Sequence, residues 1–381
     1  MRILLVGDFP ADATLGSAKV LFKLREEFGR LGHRCDALFS EDIGVRPAQR
    51  HARDLKAPVL TTTAISRAVH DRGPYDVIDV AGAEAVACCV LRRTGGAGSA
   101  ALISRSNGLE HLNYARLIED ADAGLVSKPW YRRLWYPAVR LRQVRRAIQG
   151  CDRVILINER DRDYVLQQRW RAADAIDVIP HGVSDRFFEA APPVDAPRGA
   201  GILFCGSWDA VKGVHYLAAA WKELAAAENP PRLTVLGGGR PPAAILGDFD
   251  HAARRLVTVI DRVPEEEVMQ QYRRHDALVM CSTYEGFGLV VPEAMSQRLP
   301  VIATPVGYAT TLVRDGETGL IVSPRNPATL AAAIRRLHAD PALRANLASS
   351  ALRAVQGLTW NATARRTIDA YERALRVVQA A

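Results

Sequence analysis

The sequence predicts an α/β protein built from two Rossmann-like domains, on three observations. Short apolar runs alternate with helix-length segments along the chain, the pattern of a parallel sheet flanked by helices. The alternation is broken at Ala190-Ala-Pro-Pro-Val-Asp-Ala-Pro-Arg-Gly-Ala200, whose prolines and small residues suit a linker. A chain of 381 residues, 48% of them hydrophobic, is also long enough to bury two cores.

Taken in order, the strands expected before the linker are Ile3–Val6, Cys35–Phe39, Val77–Val80, Ala101–Ser104, Arg153–Ile157 and Ala175–Ile179. Each is a short, mainly apolar run, as a largely buried strand of a parallel sheet requires. The helix Val20–Leu31 follows the first strand after Asp12-Ala-Thr-Leu-Gly-Ser-Ala-Lys19. After the linker come Ile202–Cys205, Leu233–Leu236, Val257–Ile260, Ala277–Cys281, Val301–Ala303 and Gly319–Val322, then a final helix from about Asn361 to Val378. The expected domains are therefore 1–189 and 200–360, with 361–381 as a terminal helix. No sequence repeat joins the two halves, although they share an architecture.

The segment richest in chemistry is Ser282-Thr-Tyr-Glu-Gly-Phe-Gly-Leu-Val-Val-Pro-Glu-Ala-Met295, where Glu285 and Glu293 have seven residues between them. Gly286, Phe287 and Gly288 read as a turn that opens a helix. Its amides at Leu289 and Val290 would face an anion, because first-turn amides have no intrahelical partner and glycine admits close approach. Carboxylates accept hydrogen bonds from vicinal diols, as the acidic residue of dinucleotide folds does. A ligand with a diphosphate in the middle and hydroxyls at both ends, a nucleotide sugar, would suit such a site.

The remaining composition narrows the field. Six cysteines form no Cys-x-x-Cys pair and no His/Cys cluster, so neither a zinc site nor a disulfide framework is indicated; no metal and no cofactor is expected. Met1-Arg-Ile-Leu-Leu-Val-Gly7 reads as a strand from the start, which leaves no signal peptide, and no apolar run is long enough to span a bilayer. A cytoplasmic protein, or one peripheral on the inner face of a membrane, is expected. Of the net charge of +8, much lies in 128–146, where Lys128, Arg132, Arg133, Arg140, Arg142, Arg145 and Arg146 are interleaved with Trp130, Tyr131, Trp135 and Tyr136 and no acidic residue intervenes. Such a segment suits an anionic membrane surface, and no nucleic-acid motif accompanies it. A partly buried helix with solvated arginines would show the same composition.

Tyr284-Glu-Gly-Phe-Gly-Leu-Val-Val-Pro-Glu-Ala-Met295, Leu299-Pro-Val-Ile-Ala-Thr304, Gly307 and Asp315-Gly-Glu-Thr-Gly-Leu320 resemble the nucleotide-sugar half of the retaining GT-B glycosyltransferases, the large group 1 type that acts on bacterial envelope glycans. The resemblance continues in Ile179-Pro-His-Gly-Val183, in Phe204-Cys-Gly-Ser-Trp-Asp-Ala-Val-Lys-Gly213 and in Leu31-Gly-His-Arg34. It implies two domains facing a cleft, with the last helix crossing back to the first domain. It also implies transfer of a sugar from a UDP- or GDP-sugar to an envelope polysaccharide or lipid-linked acceptor, without a metal. In that picture Glu293 holds the ribose diol and Glu285 a donor-sugar hydroxyl. Lys212 neutralises the leaving diphosphate, and the amides of Gly286, Phe287, Gly288, Leu289 and Val290 contact sugar and phosphate. Gly16 and Ser17 occupy the place of a Gly-rich turn facing the diphosphate, and Gly237-Gly-Gly239 that of a turn beneath the base.

Two positions depart from the family. Ser207 stands where relatives carry an Arg five residues before the Lys, so Lys212 bears more of the charge or Arg262, just after a strand, supplies the missing cation. Asn107 stands where relatives have a His that reaches the transferred sugar; Asn hydrogen-bonds but shuttles no proton. Retention tolerates that change, whereas inversion would require a base such as Glu110 or His111. A GT-B phosphorylase or an epimerase acting on sugar phosphates, and a non-catalytic sugar-nucleotide binding protein, remain as rival readings.

Overall fold

The structure, a computed structural model, describes residues 1–44, 50–127, 130–194 and 196–380, with the side chains of 50–53 and 130–132 outside that description. The chain divides into two compact units, one formed by 1–182 together with the helix Trp360–Ala380, the other by Val183–Thr359.

The first unit holds a parallel sheet of β1 (Arg2–Val6), β2 (Arg34–Leu38), β3 (Val77–Ala81), β4 (Ala101–Arg105), β5 (Arg153–Leu156) and β6 (Ile176–Val178), in the order β2-β1-β3-β4-β5-β6. The second holds β7 (Ile202–Cys205), β8 (Leu233–Leu236), β9 (Val257–Ile260), β10 (Ala277–Met280), β11 (Val301–Ala303) and β12 (Leu320–Ile321), in the order β12-β11-β10-β7-β8-β9. Every strand read from the sequence is present, displaced by no more than two residues at either end. The two-sided burial is visible along β7 and β10. Ile202, Phe204, Ala277 and Val279 pack in one layer, and Leu203, Leu278 and Met280 in the other. This is why the strands read as unbroken apolar runs rather than alternating ones.

The strand orders matter for function. In the first sheet the chain runs outward from β1 to β2 and then returns to the other side of β1 as β3. In the second it runs from β7 through β8 to β9 and returns beside β7 as β10. Loops that follow strands on either side of such a reversal diverge and leave a crevice where open α/β sheets bind ligands.

The division between units falls before the proline-rich stretch. Val183 and Phe187 are buried in the second unit, with the Phe187 ring 6.3 Å from that of Tyr272. The terminal helix Trp360–Ala380 packs on the first unit beside Gly16–Arg30 and β4. Thr363 donates to the Pro180 carbonyl at 2.9 Å and Asn361 to Glu27 at 3.0 Å, while Arg373 pairs with Asp177 at 2.7 Å. Deeper in, Arg105 on β4 donates through Nε to Asp79 on β3 at 2.9 Å, and the Tyr371 hydroxyl donates to the same carboxylate. Among the described residues no helix is long and apolar enough to cross a membrane.

Candidate active site

The reversal in the second sheet brings together two loops far apart in sequence. The loop after β7 passes through Gly206 and Ser207 into the short turn Ala210–Lys212, and the helix Val214–Leu224 follows Gly213. Gly213 has φ +73°, and a Cβ there would lie 2.0 Å from the Cys281 carbonyl, so only glycine lets the two loops approach this closely. Thr283 N donates to the Val211 carbonyl at 2.8 Å and Cys281 Sγ to that of Lys212 at 3.3 Å. The stitching places Lys212 Nζ 2.6 Å from Glu285 Oε1, and the Ser282 hydroxyl donates to the same oxygen at 2.7 Å. The Glu285 side chain is 10% exposed, so the pair is largely shielded from water.

Beyond Glu285 the chain turns through Gly286, Phe287, Gly288 and Leu289 into the helix Val290–Ser296. The Phe287 ring is buried and stacks on Tyr308 at 4.8 Å, and Tyr308 N donates to the Phe287 carbonyl at 2.9 Å. Phe287 thus anchors the turn from behind. Gly307 completes the seat: a Cβ there would fall 2.7 Å from the Phe287 carbonyl and 2.8 Å from Glu285 Cβ. The helix has seven residues, and Glu293 lies in its first turn, which opposes the positive end of its dipole. Lys212, paired with Glu285, supplies a cation beside this turn.

Glu293 is 6% exposed and hydrogen-bonds through Oε2 to the Tyr272 hydroxyl at 3.1 Å. Next to this centre Trp208 N donates to the Gly238 carbonyl at 2.8 Å, which ties the Ser207 loop to the Gly237–Gly239 turn after β8. Arg262, following β9, lies with its side chain against Gly237 and Gly239. Ser207, Lys212, Glu285, the 286–290 turn and Glu293 all belong to the second unit and cluster at the ends of β7 and β10.

Gly16, Ser17, Asn107 and His111 belong to the first unit. Gly16 and Ser17 open the helix Gly16–Arg30. The Asn107 loop after β4 is held by Gly108 N donating to the Ser106 hydroxyl and Leu109 N donating to Asp161, both at 3.0 Å. The His111 ring sits 4.5 Å from Trp170 and 6.0 Å from Tyr164, and burial lowers its pKa to about 4. A base that weak is poorly matched to proton transfer near neutrality. Glu110, the other residue offered as a base, accepts from Tyr136 at 2.8 Å and from Arg140 at 2.9 Å.

No acidic residue lies within the basic segment 128–146, but the fold brings acidic partners to it from elsewhere, so it is not the uncompensated basic stretch expected from the sequence. Arg140 pairs with both Glu84 and Glu110, and Arg133 pairs with Asp122 at 2.7 Å. Lys128 lies outside the described residues. Arg142, Arg145 and Arg146 remain exposed, along with Leu134 (66%) and Trp135 (37%).

Sequence reasoning missed Tyr272 and Ser282 as partners of the two carboxylates. The one signal for Tyr272 was a polar aromatic on the buried side of the largely polar helix Glu265–Arg274, one turn from Met269.

Residues 199–340 match the sequence pattern of the family described as Glycosyl transferases group 1. A curated D-inositol 3-phosphate glycosyltransferase from Frankia alni is 31% identical over 256 residues, and the alignment spans 63% of each protein. The corresponding protein of Nocardiopsis dassonvillei is 33% identical over 258 residues, 62% of this chain and 59% of its own length. The chain thus spans less than two thirds of the curated relatives it matches. In fold it resembles a sucrose-phosphate synthase from Thermosynechococcus elongatus, with TM-score 0.76 and 22% identity over 99% of this chain and 100% of the other. It likewise resembles HepE of Anabaena, solved in complex with UDP, with TM-score 0.70 and 16% identity over 98% and 100%. The segment 199–340 belongs to the group 1 glycosyl transferases, and the chain that carries it has the GT-B fold.

Proposed function

We propose that the protein is a glycosyltransferase that moves a sugar from a UDP- or GDP-sugar to a hydroxyl acceptor with retention of anomeric configuration. The observation that carries this is the Lys212–Glu285 pair beside the buried Glu293, set around the Gly286–Gly288 turn at the strand reversal between β7 and β10. In this reading Glu293 accepts from the ribose diol and Glu285 from a hydroxyl of the donor sugar. The anomeric carbon–oxygen bond to the diphosphate breaks while the bond to the acceptor oxygen forms on the same face. The acceptor proton passes to the departing phosphate oxygen, and Lys212 offsets the charge that develops there. Retention is supported by the half-buried His111, a weak base, and by the ion-paired Glu110, since neither is poised as the base that inversion needs. Gly16, Ser17 and Asn107 are proposed as the first unit's contribution to binding.

For the acceptor we propose an envelope polysaccharide or a lipid-linked sugar. The name of the curated relatives favours a second reading, a small phosphorylated polyol. Release of nucleoside diphosphate from a nucleotide sugar, assayed with and without a panel of both acceptor types, tests the function. Release that depends on acceptor is the expected result, and release without acceptor would point instead to transfer of the sugar to water. Glu293→Ala should weaken nucleotide sugar and free nucleoside diphosphate alike, by about 1.5–3 kcal/mol for lost charge-assisted hydrogen bonds. Unchanged affinity in a folded variant would remove Glu293 from the site.

A lipid-linked acceptor would place the protein at a membrane surface, and Arg142, Arg145 and Arg146 with Leu134 and Trp135 are the exposed groups suited to it. Each cation near an anionic surface contributes about 1 kcal/mol. Substituting all three arginines by Gln should therefore abolish co-sedimentation with phosphatidylserine vesicles at low salt and leave transfer to a soluble acceptor intact. Wild-type protein that ignores such vesicles would end the membrane reading.

A further inference from the structure

Glu293 is buried beside Val291, Ala294 and Met295, none of them exposed. A carboxylate in such surroundings is costly unless it is hydrogen-bonded, and its direction matters if it is to receive a ligand. Tyr272 addresses both needs. Its hydroxyl donates to Glu293 Oε2 at 3.1 Å and lies 3.9 Å from Cys205 Sγ at the end of β7, and its ring is fully buried. Burial raises the pKa of the phenol, so it remains a donor across any working pH.

The position of Tyr272 relative to Glu293 is itself fixed. The Arg198 guanidinium donates to the carbonyls of Tyr272 and His275 at 2.7 and 3.0 Å, and to those of Gln297 and Arg298 at 2.8 and 3.2 Å. One cation thereby clamps the C-terminal ends of Glu265–Arg274 and Val290–Ser296, the two helices that carry Tyr272 and Glu293. Arg273 Nε adds a bond to Gln297 Oε1 at 2.8 Å. With one oxygen held by a rigidly placed phenol, the plane of the Glu293 carboxylate is set, and so is the direction in which its other lone pairs accept.

We propose that Tyr272 is a positioning residue that confers specificity: its hydroxyl orients Glu293 toward a ribose cis-diol, so that the protein selects ribonucleotides over nucleotides lacking those hydroxyls. This rests on the assignment of Glu293 to the ribose.

The test compares a nucleoside diphosphate, uridine or guanosine according to which raises the melting temperature more, with its 2′,3′-dideoxy form by calorimetric titration. Wild type should prefer the ribonucleotide by about tenfold or more. Tyr272→Phe, which keeps the buried ring, should lose most of that preference through weaker ribonucleotide binding, with dideoxy affinity unchanged to within about twofold. In a Glu293→Gln background, Tyr272→Phe should have little further effect on the preference. A merely structural role would weaken both ligands equally, and that outcome, or an unaltered preference in Tyr272→Phe, overturns the proposal while leaving Glu293 at the ribose. If wild type binds the diphosphate without distinguishing the two forms, the ribose assignment of Glu293 falls, and Tyr272 with it. Binding of neither form overturns the nucleotide site as a whole.

Discussion

Lys212→Ala should lower the rate of sugar transfer by about 10²–10³-fold, the usual effect of removing one preorganised electrostatic contact to a developing negative charge. Lys212 Nζ is held 2.6 Å from Glu285 Oε1, so the ammonium is already in place before any ligand arrives and costs no reorganisation during reaction. Ser207, in the same loop, offers no charge of its own. Glu285→Gln separates the two members of the pair. Its proposed partner is the sugar, so turnover should fall while the affinity for bare nucleoside diphosphate stays nearly constant. The measurement is steady-state transfer alongside diphosphate titration for both variants. A Lys212→Ala enzyme with turnover within about threefold of wild type would remove the lysine from the leaving-group site.

The largest loss of stability is expected at Asp79, far from that chemistry. Arg105 and Asp79 are fully buried, and the hydroxyl of Tyr371 completes the cluster from the terminal helix. Arg105 Nη1 finds no hydrogen-bond acceptor among the described residues, so the guanidinium already lacks one of its bonds. Asp79→Ala would leave the cation buried without its counter-charge, at a cost of about 3–5 kcal/mol. That is a large part of the 5–15 kcal/mol that stabilises a typical domain. Hydrogen exchange should show faster opening of β3, β4 and the helix Trp360–Ala380, with protection in β7 and β10 preserved. Tyr371→Phe, which removes one hydroxyl and leaves the ion pair, should cost less. A loss below about 1 kcal/mol for Asp79→Ala would mean that Arg105 reaches water or another partner when the carboxylate is removed.

Much of this protein was legible in its sequence because the relevant signals are local. Among the described residues most strands are runs of buried residues between turn formers, and burial on both faces of a parallel sheet keeps them continuous, while the edge strands β2, β6 and β9 are only partly buried. The Glu285–Glu293 segment could be singled out as a candidate site because carboxylates, turn and helix start are contiguous. Strand order is another matter. Nothing in the local pattern says that β10 returns beside β7, and it is that reversal which sets Lys212 against Glu285 across 73 positions of sequence. Charge was likewise misleading when read locally. Arg133 and Arg140 have no acidic residue within their own segment, yet Asp122, Glu84 and Glu110 meet them in the fold. Tyr272 and Glu293 pair because packing carries their two helices together, and Asp79 on β3 pairs with Tyr371 of the terminal helix across 292 positions for the same reason. The sequence by itself determined the elements and the chemical inventory of the site, since those follow from periodicity and residue type over a few residues. Which groups neutralise, orient or pin one another was decided by the tertiary structure, because hydrogen bonds and ion pairs act over a few ångströms in space and are blind to separation along the chain.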